Sequence, residues 1–520
     1  MRKYPIGIQT FEEIVSEGYV YVDKTDYIWN LTQTGKYYFL SRPRRFGKSL
    51  LISTLEAFYR GRRELFKGLA IDSKDYDWQE YPVLHLDMNT QDYSKSDEAL
   101  DEKLETQLSI WEDRYGVTDV MQGAALRFES LIRLIFNQTG QRVVILIDEY
   151  DKPLLANLFN KERSERFRSA LKAFYGVLKS CDRYIKFAFL TGVTKFGKVS
   201  VFSDLNNLED ITLNAAYNAV CGISETELTK YFDVDIKRLA DKFGVSREEM
   251  AVQLRINYDG YHFTREHSEG IYNPFSLLNV FKSASLDDFW FMTGTPTMLV
   301  RLLERSNTDL TELEGTERSG IDLMGLDPVF RDPIPVIFQS GYLTIKGYDM
   351  RRRRYRLGFP NEEVKRGFLE ALLPAYIDRD ISAGEADIFR LLDALEDGDA
   401  DLYLKILQSF MAGIPYSEES ARIPERRFSD IMYVTSSLIG LNVEAEHSIA
   451  RGRIDLLVET NRYIYIMEFK VDKSPEEALA QIEEKGYAAP YLTDGRTLIR
   501  VGVEFSTLER NISRWIVEQT

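Results

Sequence analysis

Residues Tyr37 to Leu51, YYFLSRPRRFGKSLL, impose an order of strand, tight basic loop and helix that few folds supply. Tyr37 to Leu40 is apolar and reads as a strand, and a helical pattern begins at Leu50, directly after Gly47-Lys48-Ser49. A phosphate-binding loop requires this context. Backbone N–H groups of the loop and of the helix N-terminus converge on an anion, which the helix dipole also favours. In that reading Arg42, Pro43, Arg44, Arg45, Phe46, Gly47, Lys48, Ser49 and Leu50 surround a nucleoside triphosphate. Lys48 reaches the β- and γ-phosphates and the Ser49 hydroxyl ligates Mg²⁺. The competing reading is a plain Gly-Lys-Ser helix start beside a strand. One departure stands out: the residue five before Gly47, usually glycine, is Arg42. Arginine adopts positive φ only at a cost, so the loop must enter by another backbone path.

The chain of 520 residues is long enough for two to four domains. Its 44% hydrophobic and 28% charged content is that of a soluble globular protein. No apolar run approaches the roughly 18 residues of a membrane span, and MRKYPIGIQTFEE carries no apolar signal core. Cys181 and Cys221 make neither a disulfide framework nor a zinc spacing, so a reducing cytoplasm is the expected home. A formal net charge of −16 excludes bulk attraction to nucleic acid, so any such contact must be local.

Ahead of the loop, Thr10 and Glu13 have the spacing of a capping box, with a helix ending near Gly18. Tyr19 to Asp23 reads as a short extended piece, either walling the adenine side of a pocket or simply packing. After the loop come a helix over Leu50 to Arg60, a strand over Pro82 to Met88 and a long helical region from Ser96 to Asn137. Asp87, at the end of that strand, is expected at the surface, with the site as its alternative.

Val143 to Asp151, VVILIDEYD, begins with five apolar residues, the mark of a parallel strand buried on both faces. It delivers Asp148 and Glu149 to the crevice at the strand's carboxyl end. Two carboxylates there need a cation nearby. Mg²⁺ held through Ser49, with Asp148 behind a coordinated water, supplies one; Glu149 then orients or deprotonates the attacking water. An exposed acidic strand end is the alternative. A further strand, Ile185 to Leu190, ends in Thr191-Gly192-Val193-Thr194-Lys195. In additional-strand P-loop ATPases such a strand lies between the P-loop strand and the acidic strand. Thr191 is the first choice for a sensor of the γ-phosphate or the attacking water and Thr194 the second, while Lys195 and Lys198 read as solvated loop lysines, with steadying of transition-state charge as the alternative.

These motifs, with Asn257-Tyr258-Asp259-Gly260-Tyr261-His262-Phe263 and Tyr272-Asn273-Pro274-Phe275-Ser276, resemble the bacterial and archaeal AAA-ATPase-like proteins. Arg42 fits the usual pattern of that family. The resemblance covers essentially the whole chain. It implies an AAA-like P-loop ATPase domain joined to a C-terminal domain of the PD-(D/E)XK nuclease superfamily.

Leu213 to Leu373 changes character. Helical segments over Glu225 to Tyr231 and Asp235 to Phe243 precede the aromatic 258–263 loop, and Trp290, Phe291 and Met292 read as core. Gly341 to Asp349 and Arg353 to Gly358 read as a β-hairpin, suggesting a helical lid of winged-helix character. Its tip, Arg351, Arg352, Arg353 and Arg354 with Arg356 adjoining, is either a phosphate contact or a solvated turn. Gly384 to Asp401 reads as acidic and partly helical, a connector to the last domain.

The last domain reads as αβββαβ: helix Glu425 to Leu438, strands Val443 to Ile449, Arg453 to Val458 and Tyr463 to Val471, helix Pro475 to about Ala488, strand Thr497 to Phe505. Alternation puts Glu468 and Lys470 on one face, and a short turn makes Asp455's strand their antiparallel neighbour. Asp455 and Glu468 can hold Mg²⁺ or Mn²⁺ through hard oxygens; Lys470 can position the water that attacks a phosphodiester. This is the D…ExK pattern of the superfamily, in which Glu425 matches the acidic residue of the first helix and Gln481 the later glutamine. Residues 371–520 carry 16 basic and 27 acidic side chains, a formal −11 that repels duplex DNA.

The expected fold class is α/β: an additional-strand P-loop sheet (1–212), a helical lid with a winged-helix-like hairpin (213–373) and a restriction-endonuclease-like domain (374–520). The expected function is ATP hydrolysis with an Mg-dependent nuclease, in defence or mobile-element biology. Its partners would be ATP and DNA or RNA, without a membrane, and oligomerisation is compatible with it. The alternatives are an ATPase switch or a signalling NTPase whose tail only binds a nucleic-acid or protein partner.

Overall fold

Apolar runs and glycine punctuation lay out the elements in the computed structural model. It describes every residue except 1, 119, 196–204, 206, 267–268, 292–296, 307, 309, 311–312, 326–331, 378–380, 413–423, 440–441, 450–451 and 520. The chain forms two compact units, Met1–Thr293 with Gly315–Val364, and Gly294–Glu314 with Lys365–Thr520.

The first unit is built on a five-stranded sheet of β1 (Tyr37–Ser41), β2 (Val83–Asp87), β3 (Val143–Asp148), β4 (Ile185–Gly192) and β5 (Glu209–Asp210). The order is β2-β3-β4-β1-β5, with every pairing parallel. The extra strand β4 therefore lies between the loop-bearing strand and the acidic strand, as expected for an additional-strand P-loop fold. All residues of β1 and β3 are buried, which is why both read as unbroken apolar runs.

Several expectations need correction. Helix Phe11–Ser16 has no side-chain cap from Thr10. Tyr19–Asp23 joins no sheet; after it a helix over Thr25–Thr34 forms that weak helix formers had hidden. The long region from Ser96 is two helices, Ala99–Arg114 and Ala124–Thr139, split where Gly116 and Gly123 take positive φ.

Beyond the sheet, β6 (Ile223–Ser224) and β7 (Ile271–Tyr272) pair antiparallel. Glu225–Phe243 is one continuous helix rather than two segments, opened by a complete capping box of Ser224 and Glu227. Leu228, Phe232, Ile236 and Leu239 pack with Leu254, Leu277 and Phe281 into a local core. Trp290 is buried, and Met292 lies outside the described residues. β8 (Glu317–Ser319), β9 (Thr344–Asp349) and β10 (Arg354–Gly358) form an antiparallel sheet, so the expected hairpin gains a third strand.

In the second unit β11 (Asn442–Ile449), β12 (Gly452–Glu459), β13 (Tyr463–Val471), β14 (Thr497–Ser506) and β15 (Asn511–Gln519) lie side by side in sequence order. β13 and β14 are parallel, joined through helix Pro475–Lys485; the other pairs are antiparallel. The expected αβββαβ order thus acquires an extra edge strand, β15. The acidic stretch Gly384 to Asp401 is helical, as expected in part. It forms helices Ile381–Asp397 and Ala400–Ala412, the second burying Tyr403, Leu407 and Phe410. Hydrogen bonds tie both helices to the sheet: Tyr465 hydroxyl to Leu395 O at 2.6 Å, Gln408 Nε2 to Ile512 O at 2.7 Å, and Trp515 Nε1 to Asp401 Oδ1 at 2.7 Å.

Candidate functional sites

β1 ends at Ser41, whose N–H donates to Thr212 Oγ1 at 3.0 Å, and the Arg42 N–H donates to Gly192 O at 3.2 Å. The loop then turns through Arg45 (φ 67°) and Gly47 (φ 93°), so the left-handed positions fall on these two residues and Arg42 is not among them. That is the alternative backbone path. Helix Lys48–Tyr59 follows with no side-chain cap at its start, leaving its first N–H groups open to an anion. The buried Lys48 Nζ donates to the carbonyls of Arg42 (3.0 Å) and Pro43 (3.1 Å). Arg44 and Arg45 are exposed, and Ser49 and Leu50 are half-buried or better.

Two loop side chains are buried in packing contacts. The Arg42 guanidinium, 1% exposed, donates to carbonyls of Ser41, Thr212, Tyr217 and Asn218. Phe46 packs edge-on against Tyr261 and Phe263, with ring centroids 4.8 and 5.4 Å apart. The Arg45 guanidinium lies 4.0 Å from the centre of the Phe275 ring.

Asp148, buried at the end of β3, accepts from Thr191 Oγ1 at 2.5 Å and from the Glu149 N–H at 3.1 Å. Glu149 sits at φ 50°, a left-handed conformation for a residue with a Cβ. Its Oε2 is 3.9 Å from Lys152 Nζ, which also donates to Asn89 Oδ1 at 3.2 Å. The two threonines differ: Thr194 donates its hydroxyl to Asp151 at 2.6 Å, not to Asp148. Asp151 also accepts the N–H groups of Val193 and Thr194, and burial pushes its carboxyl above the ordinary range. This third carboxylate of the Asp-Glu-Tyr-Asp run was visible in the sequence but carried no assigned role. Lys195 is ion-paired to Asp210 at 2.5 Å rather than solvated, and Lys198 lies outside the described residues. Asp87 is half-buried and accepts the Asn89 N–H at 2.8 Å.

In the second unit, the β12–β13 ladder runs from Glu459↔Ile464 to Leu456↔Met467. The next residues in that register are Asp455 and Glu468. There Asp455 Oδ2 accepts the Phe469 N–H at 2.8 Å. Glu468 is 1% exposed; its Oε1 accepts from Lys470 Nζ at 2.9 Å and from Gln481 Nε2, while its Oε2 has no hydrogen-bond partner among the described residues. Burial first, then the neighbouring Asp455 charge, raises its pKa; Lys470 opposes that shift. Gly502 stands opposite Glu468 on β14, and a Cβ there would lie 2.2 Å from Pro475 O. Its missing side chain lets helix Pro475–Lys485 approach closely enough for Gln481 to reach Glu468.

Two carboxylates with an orphaned buried oxygen fit a hard divalent cation such as Mg²⁺ or Mn²⁺. No cluster of three or more metal-binding side chains occurs among the described residues, so water or substrate would complete the coordination. Glu425 falls on helix Pro424–Leu438, but its side chain lies outside the described residues.

Residues 5–202 match the family described as "Predicted AAA-ATPase", and residues 423–515 match the PD-(D/E)XK nuclease superfamily. The chain is also 37% identical over 527 aligned positions to the "Uncharacterized protein in vnfD 5'region" of Azotobacter chroococcum mcd 1, covering 99% of each. The chain belongs to the AAA-ATPase-like family. In this AAA-ATPase-like protein, the remaining resemblance motifs have structural positions. Asn273 caps helix Pro274–Ser283 by accepting from Phe275 and Ser276 N–H groups at 2.9 and 3.3 Å. Tyr261 and Phe263 receive the loop's Phe46. Arg351, Arg352 and Arg353 occupy the exposed β9–β10 turn and Arg354 opens β10. Asp349 accepts the N–H groups of Arg351 and Arg352 and partly offsets their charge. Among the described residues no helix is long and apolar enough to cross a membrane.

Proposed function

We propose that this AAA-ATPase-like protein hydrolyses ATP and carries a metal-dependent phosphodiesterase centre acting on nucleic acid. The ATPase domain spans 1–212, the lid 213–373 and the nuclease-like domain 374–520. At the ATP site, the N–H groups of Gly47 to Leu50 and the Lys48 ammonium hold the phosphates. Ser49 and Asp148 would hold Mg²⁺. Glu149 takes a proton from the attacking water as the β–γ phosphoanhydride bond breaks. Both threonine hydroxyls donate to a carboxylate, Thr191 to Asp148 and Thr194 to Asp151; Thr191 keeps the sensor role because its partner is the carboxylate assigned to Mg²⁺.

At the second site Asp455 and Glu468 would hold Mg²⁺ or Mn²⁺. When bound, the ion supplies a lowered water pKa and neutralises charge on the phosphodiester. Lys470 orients the attacking water, and Gln481 fixes the Glu468 rotamer. The supporting observation is the buried Oε2 of Glu468, without a hydrogen-bond partner among the described residues, because an unpaired buried carboxylate oxygen is costly unless a cation completes it. The test is cleavage of single- and double-stranded DNA and RNA with Mg²⁺ or Mn²⁺, with and without ATP. Loss of cleavage in Asp455→Asn is expected; no cleavage of any substrate by the wild type would overturn the reading. The formal −11 of residues 371–520 favours a second reading, an ATPase switch whose tail only binds a partner. Under it ATP turnover persists and nothing is cut.

A further inference from the structure

We infer that Arg42 is a positioning residue for Lys48, a side-chain strut that does the work of the absent loop glycine. The inference rests on the nucleotide-site reading above and extends it. Arg42 Nη1 donates to Ser41 O at 3.0 Å and Thr212 O at 2.8 Å, and Nη2 to Tyr217 O at 3.0 Å and Asn218 O at 3.5 Å. The guanidinium lies 4.1 Å from the centre of the Phe263 ring. Three of its four acceptors are therefore main-chain carbonyls from the segment that follows β5, and one face is closed by an aromatic ring. The two Nη groups of a planar guanidinium suit such a cage and a lysine ammonium does not, while the buried Nε has no hydrogen-bond partner among the described residues.

The same residue acts in the opposite direction through its backbone. Lys48 Nζ is seated on the carbonyls of Arg42 and Pro43. A glycine at 42 would leave this seat on a freely rotating backbone. Here the Arg42 side chain fixes the carbonyl from behind, and the proline ring fixes the next φ. When a triphosphate arrives, Lys48 exchanges two neutral carbonyls for phosphate oxygens without the loop having to be ordered first. Preorganisation of this kind favours both binding and transition-state charge stabilisation. Because the cage is built from residues 212–218 and 263, the conformation of the segment beyond β5 is tied to the reach of Lys48.

The experiment measures binding of a fluorescent ATP analogue and ATP hydrolysis, both with Mg²⁺, in the full chain. The variants are Arg42→Ala, Arg42→Lys, Arg42→Gly, Lys48→Ala and the double variant Arg42→Ala/Lys48→Ala. Arg42→Ala is expected to weaken nucleotide binding about 10-fold and slow hydrolysis about 100-fold. Arg42→Lys should fall close to it, and Arg42→Gly should not recover wild-type behaviour although it restores the usual loop residue. The readout that separates positioning from general structural support is non-additivity. Because Lys48→Ala leaves no hydrolysis to compare, the cycle is read in binding: acting through Lys48 requires the double variant to bind the analogue no more weakly than Lys48→Ala, within about twofold. Should Arg42→Ala lose its cooperative melt, Phe263→Leu replaces it in the same cycle, since it opens the cage and keeps every carbonyl. Additive losses, or an Arg42→Gly variant equal to wild type, overturn the strut. A wild type that neither binds nor hydrolyses ATP overturns the nucleotide-site reading itself, a result distinct from either.

Discussion

Glu149 carries two costs at once, a left-handed backbone at φ 50° and a carboxylate next to the buried Asp148. Such conformations cost on the order of 1–3 kcal/mol and persist where surrounding structure enforces them. Glu149→Gly should therefore raise the melting temperature, by on the order of 1 kcal/mol of stability, while abolishing hydrolysis. Thermal melts beside ATPase rates check it; a destabilised Glu149→Gly would mean that the backbone is not strained. Glu149→Gln should still bind ATP and turn it over poorly, because phosphate contacts remain when the base is lost. Lys48→Ala should abolish hydrolysis, a loss on the order of several kcal/mol in transition-state stabilisation. At the second site Asp455→Asn and Glu468→Gln should lose metal binding and cleavage with the fold intact. Lys470→Ala should keep part of the metal affinity and lose turnover, since it acts on water rather than on the ion. Isothermal titration with Mn²⁺ alongside cleavage assays separates these outcomes from a plain ion-pair cluster, in which the wild type would neither bind the ion nor cleave.

Elements are held by local devices whose removal has readable consequences. Asn273→Ala removes the acceptor of two N–H groups at the start of helix Pro274–Ser283, and should cost about 1 kcal/mol in a denaturant melt. Because Phe275 also underlies Arg45, the same change should weaken nucleotide binding slightly. The β9–β10 turn offers a different test. Replacing Arg351 to Arg354 with alanine should weaken nucleic-acid binding and flatten its dependence on salt, as fewer phosphates are neutralised. ATPase activity should survive. An unchanged salt slope would reduce the cluster to a solvated turn whose charge Asp349 already offsets.

At the scale of the whole molecule, burial raises the Glu363 carboxyl from 4.5 to about 8. It accepts the Trp290 N–H at 2.9 Å within the first unit. The folded state keeps this proton while the unfolded chain has already lost it above about 4.5. The stability it contributes is complete below that pH, declines as pH rises and is gone once the folded carboxyl ionises near 8, a swing on the order of a few kcal/mol. Glu363→Gln should flatten the fall of melting temperature between about pH 5 and 8; an equally steep fall in that variant would exclude Glu363 as its source. Other features of the molecule were plain in the chain itself. Strands β1, β3 and β4, the Gly-Lys-Ser helix start and the Asp…Glu-x-Lys strands could be read because their signals are contiguous: apolar runs, alternation and glycine. Short or mixed patterns hid others, such as helix Thr25–Thr34 and edge strand β15, whose half-exposed residues lack a clean period. Tertiary structure alone decided the contacts between distant residues. Thr191 reaches Asp148 across 43 positions, and Arg42 finds the Thr212 carbonyl across 170. Composition and periodicity specify which face of an element is buried, but the partner on the other side of that face is chosen only when the sheet order brings the two together.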